Sequence, residues 1–176
     1  MALLSADTLK LLPRLRAPKR FALRYIFATF ALALGLTAAA DAARRPAIAG
    51  TDVLTGRHVA LSQFRGKPVF VNVWGSWCYG CKTEAPTLAR FVKANSRRVA
   101  FLGINTEDSK QGARAFSARY GLRYPSIWDP RGLLAGEWSR GAPTILVFDR
   151  RHVFVERIEG TPTLVQLNAA RKRVTT

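Results

Sequence analysis

The chain is poor in the residues that build metal centres and disulfide scaffolds: its 176 residues include two cysteines, two histidines and one methionine. Two cysteines make neither a multi-disulfide framework nor a four-cysteine zinc site. Acid is scarce too, 11 Asp and Glu against 28 Lys and Arg, giving a net charge of +17. No segment repeats at a period of ~20–50 residues, which excludes solenoids and propellers. No uncharged run reaches the ~20 residues that comfortably span a bilayer; the run Tyr25–Ala40 has 16. Hydrophobic residues nonetheless make up 48% of the chain, too many for intrinsic disorder over most of it. The length suits one compact domain with residues to spare.

The spare residues lie at the N-terminus. Lys10, Arg14, Arg16, Lys19, Arg20 and Arg24 form a basic stretch without acid, the uncharged run YIFATFALALGLTAAA follows, and small residues close it. That order is the order of a secretory signal. The predicted division is a cytoplasmic basic region over 1–24, a signal peptide or membrane anchor over 25–43, a linker over 44–50 and a folded domain over 51–176. A buried core helix would show a polar face at 3.6-residue spacing, and 25–40 shows none. Ala38-Ala39-Ala40 and Ala40-Asp41-Ala42 each offer a cleavage site, while the long basic region favours a retained anchor, so both readings stay open. Lys19-Arg20 is a poor twin-arginine signal, which leaves the general secretion route. The basic flank is expected to stay inside and the C-terminal part to cross. The domain is then extracytoplasmic on a single-pass anchor, or secreted or periplasmic after cleavage.

Residues 1–45 hold 8 basic and 2 acidic side chains, leaving +11 on residues 46–176. On an exported domain that charge points to an anionic lipid or wall surface, not to nucleic acid. Arg171-Lys172-Arg173 is short and terminal, and its ordinary reading is a solvated tail.

From residue 51 onward strands and helices alternate. Val53–Leu61 is a predicted hairpin with Thr55-Gly56 at its turn. VFVNVW over 69–74 is broken only by Asn72, the pattern of a strand covered on both faces. A helix follows from about Cys78 to Asn95, with Leu88, Phe91 and Val92 on one side and Pro86 imposing a kink. Val99–Asn105 is the next strand, Ser109 caps a helix running to Tyr120, and Gly121 ends it. Tyr124–Trp128 is extended, Asp129-Pro130-Arg131-Gly132 turns, and Leu133–Trp138 is a short helix. Thr144–Phe148 and Val153–Ile158 are strands joined by a polar turn, and Thr161-Pro162 is expected to open a last helix. The order implies an α/β fold, a mixed central sheet with helices on both faces.

The cysteines stand together, as Cys78-Tyr79-Gly80-Cys81, at the junction between a strand and a helix. The first turn of a helix has unpaired N–H groups and the positive end of its dipole, which favour a thiolate over a thiol. Cys78 is accordingly the candidate nucleophile, and Cys81, three positions on, the thiol that closes a small disulfide. Other readings fit less well. Zinc would need about two further ligands, and His58 and His152 stand in no recognisable spacing. Haem attachment requires a histidine where Lys82 stands. A purely structural bridge would close a loop too small to remove much chain entropy.

Val71-Asn72-Val73-Trp74-Gly75-Ser76-Trp77-Cys78-Tyr79-Gly80-Cys81-Lys82-Thr83-Glu84-Ala85-Pro86 resembles the active-site segment of the TlpA/ResA-like thioredoxin-fold proteins. Their pattern F-W-x-x-W-C-x-x-C-x-x-E-x-P departs here only at Val73. Leu61 to Pro68 resembles the segment that precedes it, and Gly141-Ala142-Pro143-Thr144 resembles the family's cis-proline loop. The resemblance implies a thioredoxin-like fold with an N-terminal β-hairpin extension. It implies a membrane-anchored, extracytoplasmic thiol–disulfide oxidoreductase whose only redox group is Cys78–Cys81, with no metal or organic cofactor.

Site roles follow from the same resemblance: Trp77, Ala142 and Pro143 border the substrate, with Pro143 cis. Glu84 is a partly buried carboxylate exchanging protons as Cys81 reacts, against the plain alternative of a solvated helix charge. Asn72 replaces thioredoxin's buried aspartate and cannot take its proton; Trp74 is expected in the core. Tyr79-Gly80 departs from the proline common before the second cysteine, which leaves the redox potential open. The implied substrates are protein disulfides such as the haem-attachment cysteines of apocytochrome c, and the implied donor is a membrane protein of CcdA or DsbD type. An oxidase donating disulfides to secreted proteins, a copper-handling thiol protein and an anionic-surface binding module are the alternatives.

Overall fold

The computed structural model describes residues 47–175. The basic segment 1–24, the apolar segment 25–43 and the first linker residues lie outside them. Seven strands and four helices follow in order: β1 (Ala49–Thr51), β2 (His58–Ala60), β3 (Val69–Trp74), α1 (Tyr79–Asn95), β4 (Ala100–Thr106), α2 (Lys110–Tyr120), β5 (Ser126–Asp129), α3 (Leu133–Trp138), β6 (Thr144–Phe148), β7 (Phe154–Glu159) and α4 (Leu164–Thr175). A 3-10 turn at Leu61–Phe64 joins β2 to β3.

The central sheet has the order β5-β4-β3-β6-β7. β3 runs parallel to β4, and β4 to β5, while β6 is antiparallel to both β3 and β7. β3 is therefore central, and all six of its residues are buried. Its alternation divides the core. Phe70 and Trp74 point to the layer of α1, α2 and α4, among Leu88, Phe91, Phe116 and Leu167. Val69, Val71 and Val73 point to the opposite layer, where Ala135 of α3 and Ile48, Val59 and Leu61 of the hairpin cover them. Helices on both faces of a mixed sheet, with an N-terminal hairpin, are the architecture expected.

Two boundaries differ from expectation. The hairpin's first strand is Ala49–Thr51, upstream of the predicted Val53, and pairs with β2 through Gly50 opposite Val59. Buried Ile48 draws this segment into the fold, so Ala49 and Gly50 belong to a strand and not to a linker. At α4, Thr163 and not Thr161 makes the cap. Its Oγ1 accepts from the Gln166 N–H at 3.2 Å, and Gln166 Oε1 accepts from the Thr163 N–H at 2.9 Å. Arg171, Lys172 and Arg173 lie inside α4 instead of in a solvated tail, and Arg173 pairs with Glu156 at 2.6 Å.

Other local signals operate as their chemistry requires. Ser109 Oγ accepts the Gly112 N–H at 2.9 Å, and Gly121, at φ 68°, ends α2 in the left-handed conformation that glycine adopts without penalty. α1 passes through Pro86 without a break.

Candidate active site

β3 and α1 position the cysteines. The chain leaves β3 at Trp74, turns at Gly75-Ser76, and enters α1 at Tyr79 with Cys78 as its N-cap. Cys78 Sγ accepts the Cys81 N–H at 3.0 Å, so a helix-terminal N–H that would otherwise lack a partner is aimed at sulfur. The two cysteines form a disulfide with Cα atoms 5.2 Å apart. Both are largely enclosed, Cys78 at 4% exposure and Cys81 at 1%, which leaves Cys78 the more open sulfur.

The turn into the helix is held by a residue that sequence reasoning passed over. Asp108, after β4, accepts the Ser76 N–H at 2.6 Å and the Ser76 hydroxyl at 2.7 Å. It also accepts the Asn105 side-chain amide at 2.9 Å and the Ser109 N–H at 2.8 Å. One carboxylate thus ties the loop before Cys78 to the next crossover. The signal was thin: an acid at a strand end followed by a serine cap.

Trp77 is half exposed and lies across Gly75, where a Cβ would land in its indole ring. Its Nε1–H donates to the Thr106 carbonyl at 3.1 Å. Trp77 and Ala142 line one cavity of 210 Å³ together with Glu107, Arg140 and Gly141. The Ala142–Pro143 peptide is cis. Pro143 faces the cysteine turn, since a Cβ on Gly80 would meet the Pro143 ring at 3.0 Å. Trp77 and the Ala142–Pro143 pair, far apart in sequence, are thereby brought together beside the cysteine turn. Trp74 is buried in the core and stacks on Phe116 at 4.9 Å between centroids.

Glu84, one turn beyond Cys81, is 2% exposed, so the solvated-charge alternative is excluded. Neither carboxyl oxygen has a hydrogen-bond partner among the described residues. Burial alone pushes its pKa from 4.5 to about 8, so the carboxyl is protonated at neutral pH in the disulfide form. Behind it, Asn72 Nδ2–H donates to the Tyr124 hydroxyl at 2.7 Å. Tyr124 is held above its usual pKa, first by burial and then by the nearby Glu84 charge, against a lowering by the Asn72 bond. That Tyr124 completes this buried polar group, 52 residues from Asn72, was invisible in the sequence.

His152 sits in the β6–β7 turn, at the end of the sheet where Val69 pairs with Phe148, remote from the cysteines at the other end of β3. His58 begins β2. Among the described residues no three or more His, Cys, Asp and Glu side chains gather as a metal site.

A thioredoxin-like sheet with a bonded cysteine pair at the N-terminus of its first long helix defines a thiol–disulfide oxidoreductase. A sequence profile of the AhpC/TSA family matches residues 41–158, and the chain belongs to that family, as a TlpA/ResA-like member of the thioredoxin superfamily. It is 32% identical over 129 residues to the thiol-disulfide oxidoreductase ResA of Geobacillus kaustophilus (strain HTA426), which covers 72% of this chain and 74% of that one. It is 30% identical over 124 residues to ResA of Bacillus thuringiensis (strain Al Hakam), covering 69% and 72%. Among solved structures, a secreted thiol-disulfide isomerase from Corynebacterium glutamicum matches with a TM-score of 0.69 and 28% identity, over 74% of this chain and 84% of that one.

Proposed function

We propose that the protein reduces disulfides of exported proteins outside the cytoplasm, with Cys78 as nucleophile and Cys81 as resolving thiol. The observation that carries this reading is the Cys81 N–H aimed at Cys78 Sγ, at 3.0 Å, from the end of α1. The same donor stabilises negative charge on that sulfur once the bond is opened, and a thiolate there is the attacking species.

The Cys78 thiolate attacks one sulfur of a substrate disulfide, forming a mixed disulfide and releasing the other sulfur as a thiolate that takes a proton from water. Cys81 gives its proton to Glu84 and attacks Cys78 Sγ, expelling the second substrate thiolate, which is protonated in turn. Substrate gains two electrons and the Cys78–Cys81 bond forms. A protonated Glu84 beside a closed disulfide is the arrangement this sequence of steps leaves behind, and burial favours that state. When a donor thiolate reopens the bond at Cys78, Glu84 returns the proton to the departing Cys81. Trp77, Ala142 and Pro143 line the approach to Cys78.

Relatives carrying the ResA name support the exchange chemistry, and the family resemblance extends the reading to cysteine pairs of apocytochrome c, to a CcdA- or DsbD-type membrane donor and to an N-terminal anchor. A second reading, disulfide donation or shuffling, draws on the relative described as a secreted isomerase. It uses the same sulfurs and differs in potential, near about −120 mV for a strong oxidant against about −270 mV for a thioredoxin-like reductant. A Cys81→Ala variant expressed in cells lacks the resolving thiol and is expected to accumulate a mixed disulfide on Cys78 that dithiothreitol releases. Identification of the trapped protein names the substrate. A folded, exported variant that traps nothing would overturn the mechanism.

A further inference from the structure

The pole of the domain remote from the cysteines carries a feature that disulfide exchange does not use. Lys67 precedes β3, Arg97 and Arg98 precede β4, and Arg150 lies in the β6–β7 turn, so the sheet gathers them at one end. With Arg171 of α4 they line a cleft of 430 Å³. Among the described residues no acidic side chain lines it. The nearest acid in sequence, Asp149, is engaged in its own turn, where one oxygen accepts the Arg151 and Val153 N–H groups at 2.8 and 2.9 Å. Arg173–Glu156 and Arg157–Glu159 are ion pairs elsewhere, and none of these five cations has an acidic partner among the described residues. Arg171 Nε is buried without a hydrogen-bond partner among the described residues, and Arg150 reaches only the Thr175 carbonyl, at 3.3 Å.

A second cavity adjoins the first. It measures 730 Å³, within the ~300–1,000 Å³ typical of small-ligand sites. Its floor is apolar, from Phe64, Ala89, Val92, Val99, Phe101 and the Tyr124 ring, and Arg90, Lys93 and Arg123 stand on its rim, again with no acid. Lys67 belongs to both cavities, and the chain from Ser96 to Arg98 forms their common wall. A cationic cleft opening beside an apolar groove is complementary to one molecule carrying an anionic head and a hydrocarbon chain.

We propose that this pole binds an anionic phospholipid of the membrane surface, with its phosphate among Lys67, Arg97, Arg98, Arg150 and Arg171 and an acyl chain along the α1 groove. Guanidinium groups suit a phosphate because they donate in pairs, and aliphatic floor residues suit the chain. Bound in this way, the domain presents the disulfide on its opposite end, away from the lipid. Part of the net positive charge of the chain thereby acquires a place and a ligand, and Arg171 of α4 a role.

The test uses the full chain in phosphatidylcholine vesicles doped with a phosphatidylglycerol carrying a photoreactive diazirine in its acyl chain. Crosslinked peptides are mapped by mass spectrometry, which separates the groove from the N-terminal apolar segment. Labelling is expected on 89–101 and 120–124, and an Arg97→Glu/Arg98→Glu variant should lower it at least about tenfold. A charge-matched Lys110→Glu/Arg131→Glu variant, altered at the other pole, should label like the parent, and both should retain disulfide exchange. Four results would overturn the proposal: labelling confined to residues 25–43, equal labelling by the corresponding phosphatidylcholine probe, equal loss in the two variants, or full displacement by inorganic phosphate at matched ionic strength. The last would make the cleft a site for free anions.

Discussion

Replacing Glu84 by Gln keeps the shape of the side chain and removes its ability to ionise. In the wild type, burial moves the carboxyl from 4.5 to about 8. Below pH 4.5 it is protonated in folded and unfolded chains alike, and its burial adds no pH-dependent cost. Between 4.5 and about 8 the unfolded chain releases the proton while the folded chain keeps it, so stability falls as pH rises; above about 8 the loss is complete. At about 1.4 kcal/mol per pH unit this loss amounts to about 5 kcal/mol, a large share of the ~5–15 kcal/mol that holds a domain together. Denaturant unfolding of the oxidised wild type and of Glu84→Gln, from pH 4 to 9, isolates the effect, because other titrating groups cancel in the difference. The cysteines drop out as well, being bonded. The two proteins should agree within about 1 kcal/mol at pH 4, diverge in favour of Gln up to about pH 8 and keep a constant gap from there to pH 9. A constant difference across the range would refute a neutral, desolvated Glu84, and with it the proton source assigned to Cys81.

Asp108→Ala removes an acceptor shared by Ser76, Asn105 and Ser109. It should cost about 2–3 kcal/mol in denaturant unfolding and slow insulin-disulfide reduction, since the loop before Cys78 loses its tether. Gly75→Ala places a methyl group where the Trp77 indole lies. It should cost only about 1 kcal/mol, yet slow reaction with a protein disulfide more than with a small aromatic disulfide; equal slowing of both would remove Trp77 from the substrate-facing wall.

Much of the fold was legible because its signals are local. The buried run over 69–74, the serine cap and glycine stop of α2, and the turn before α3 each rest on a few adjacent residues, and each falls where expected. β1 was missed because three residues carry no period, and its place is fixed by Ile48 entering the core. Thr161 looked like a cap by its proline, whereas Thr163 has the glutamine three residues on that closes a capping box. The site divides in the same way. Cys78, Cys81 and Glu84 lie within one stretch of helix and were readable together. Asp108 and Tyr124 reach the site only through strand pairing, since β4 pairs with β3 and β5 with β4, and no spacing in the chain announces that. The basic cleft is the extreme case, its five cations assembled from four separate points of the sequence.

The most direct measurement is alkylation of the reduced protein by iodoacetamide across pH, with each modified peptide resolved by mass spectrometry. The sulfur that caps α1 should be carboxamidomethylated first, with a midpoint below the ~8.5 of free cysteine, while Cys81 stays largely unmodified. Modification of Cys81 first, or a midpoint for Cys78 at or above the free value, would contradict the assignment on which the mechanism rests.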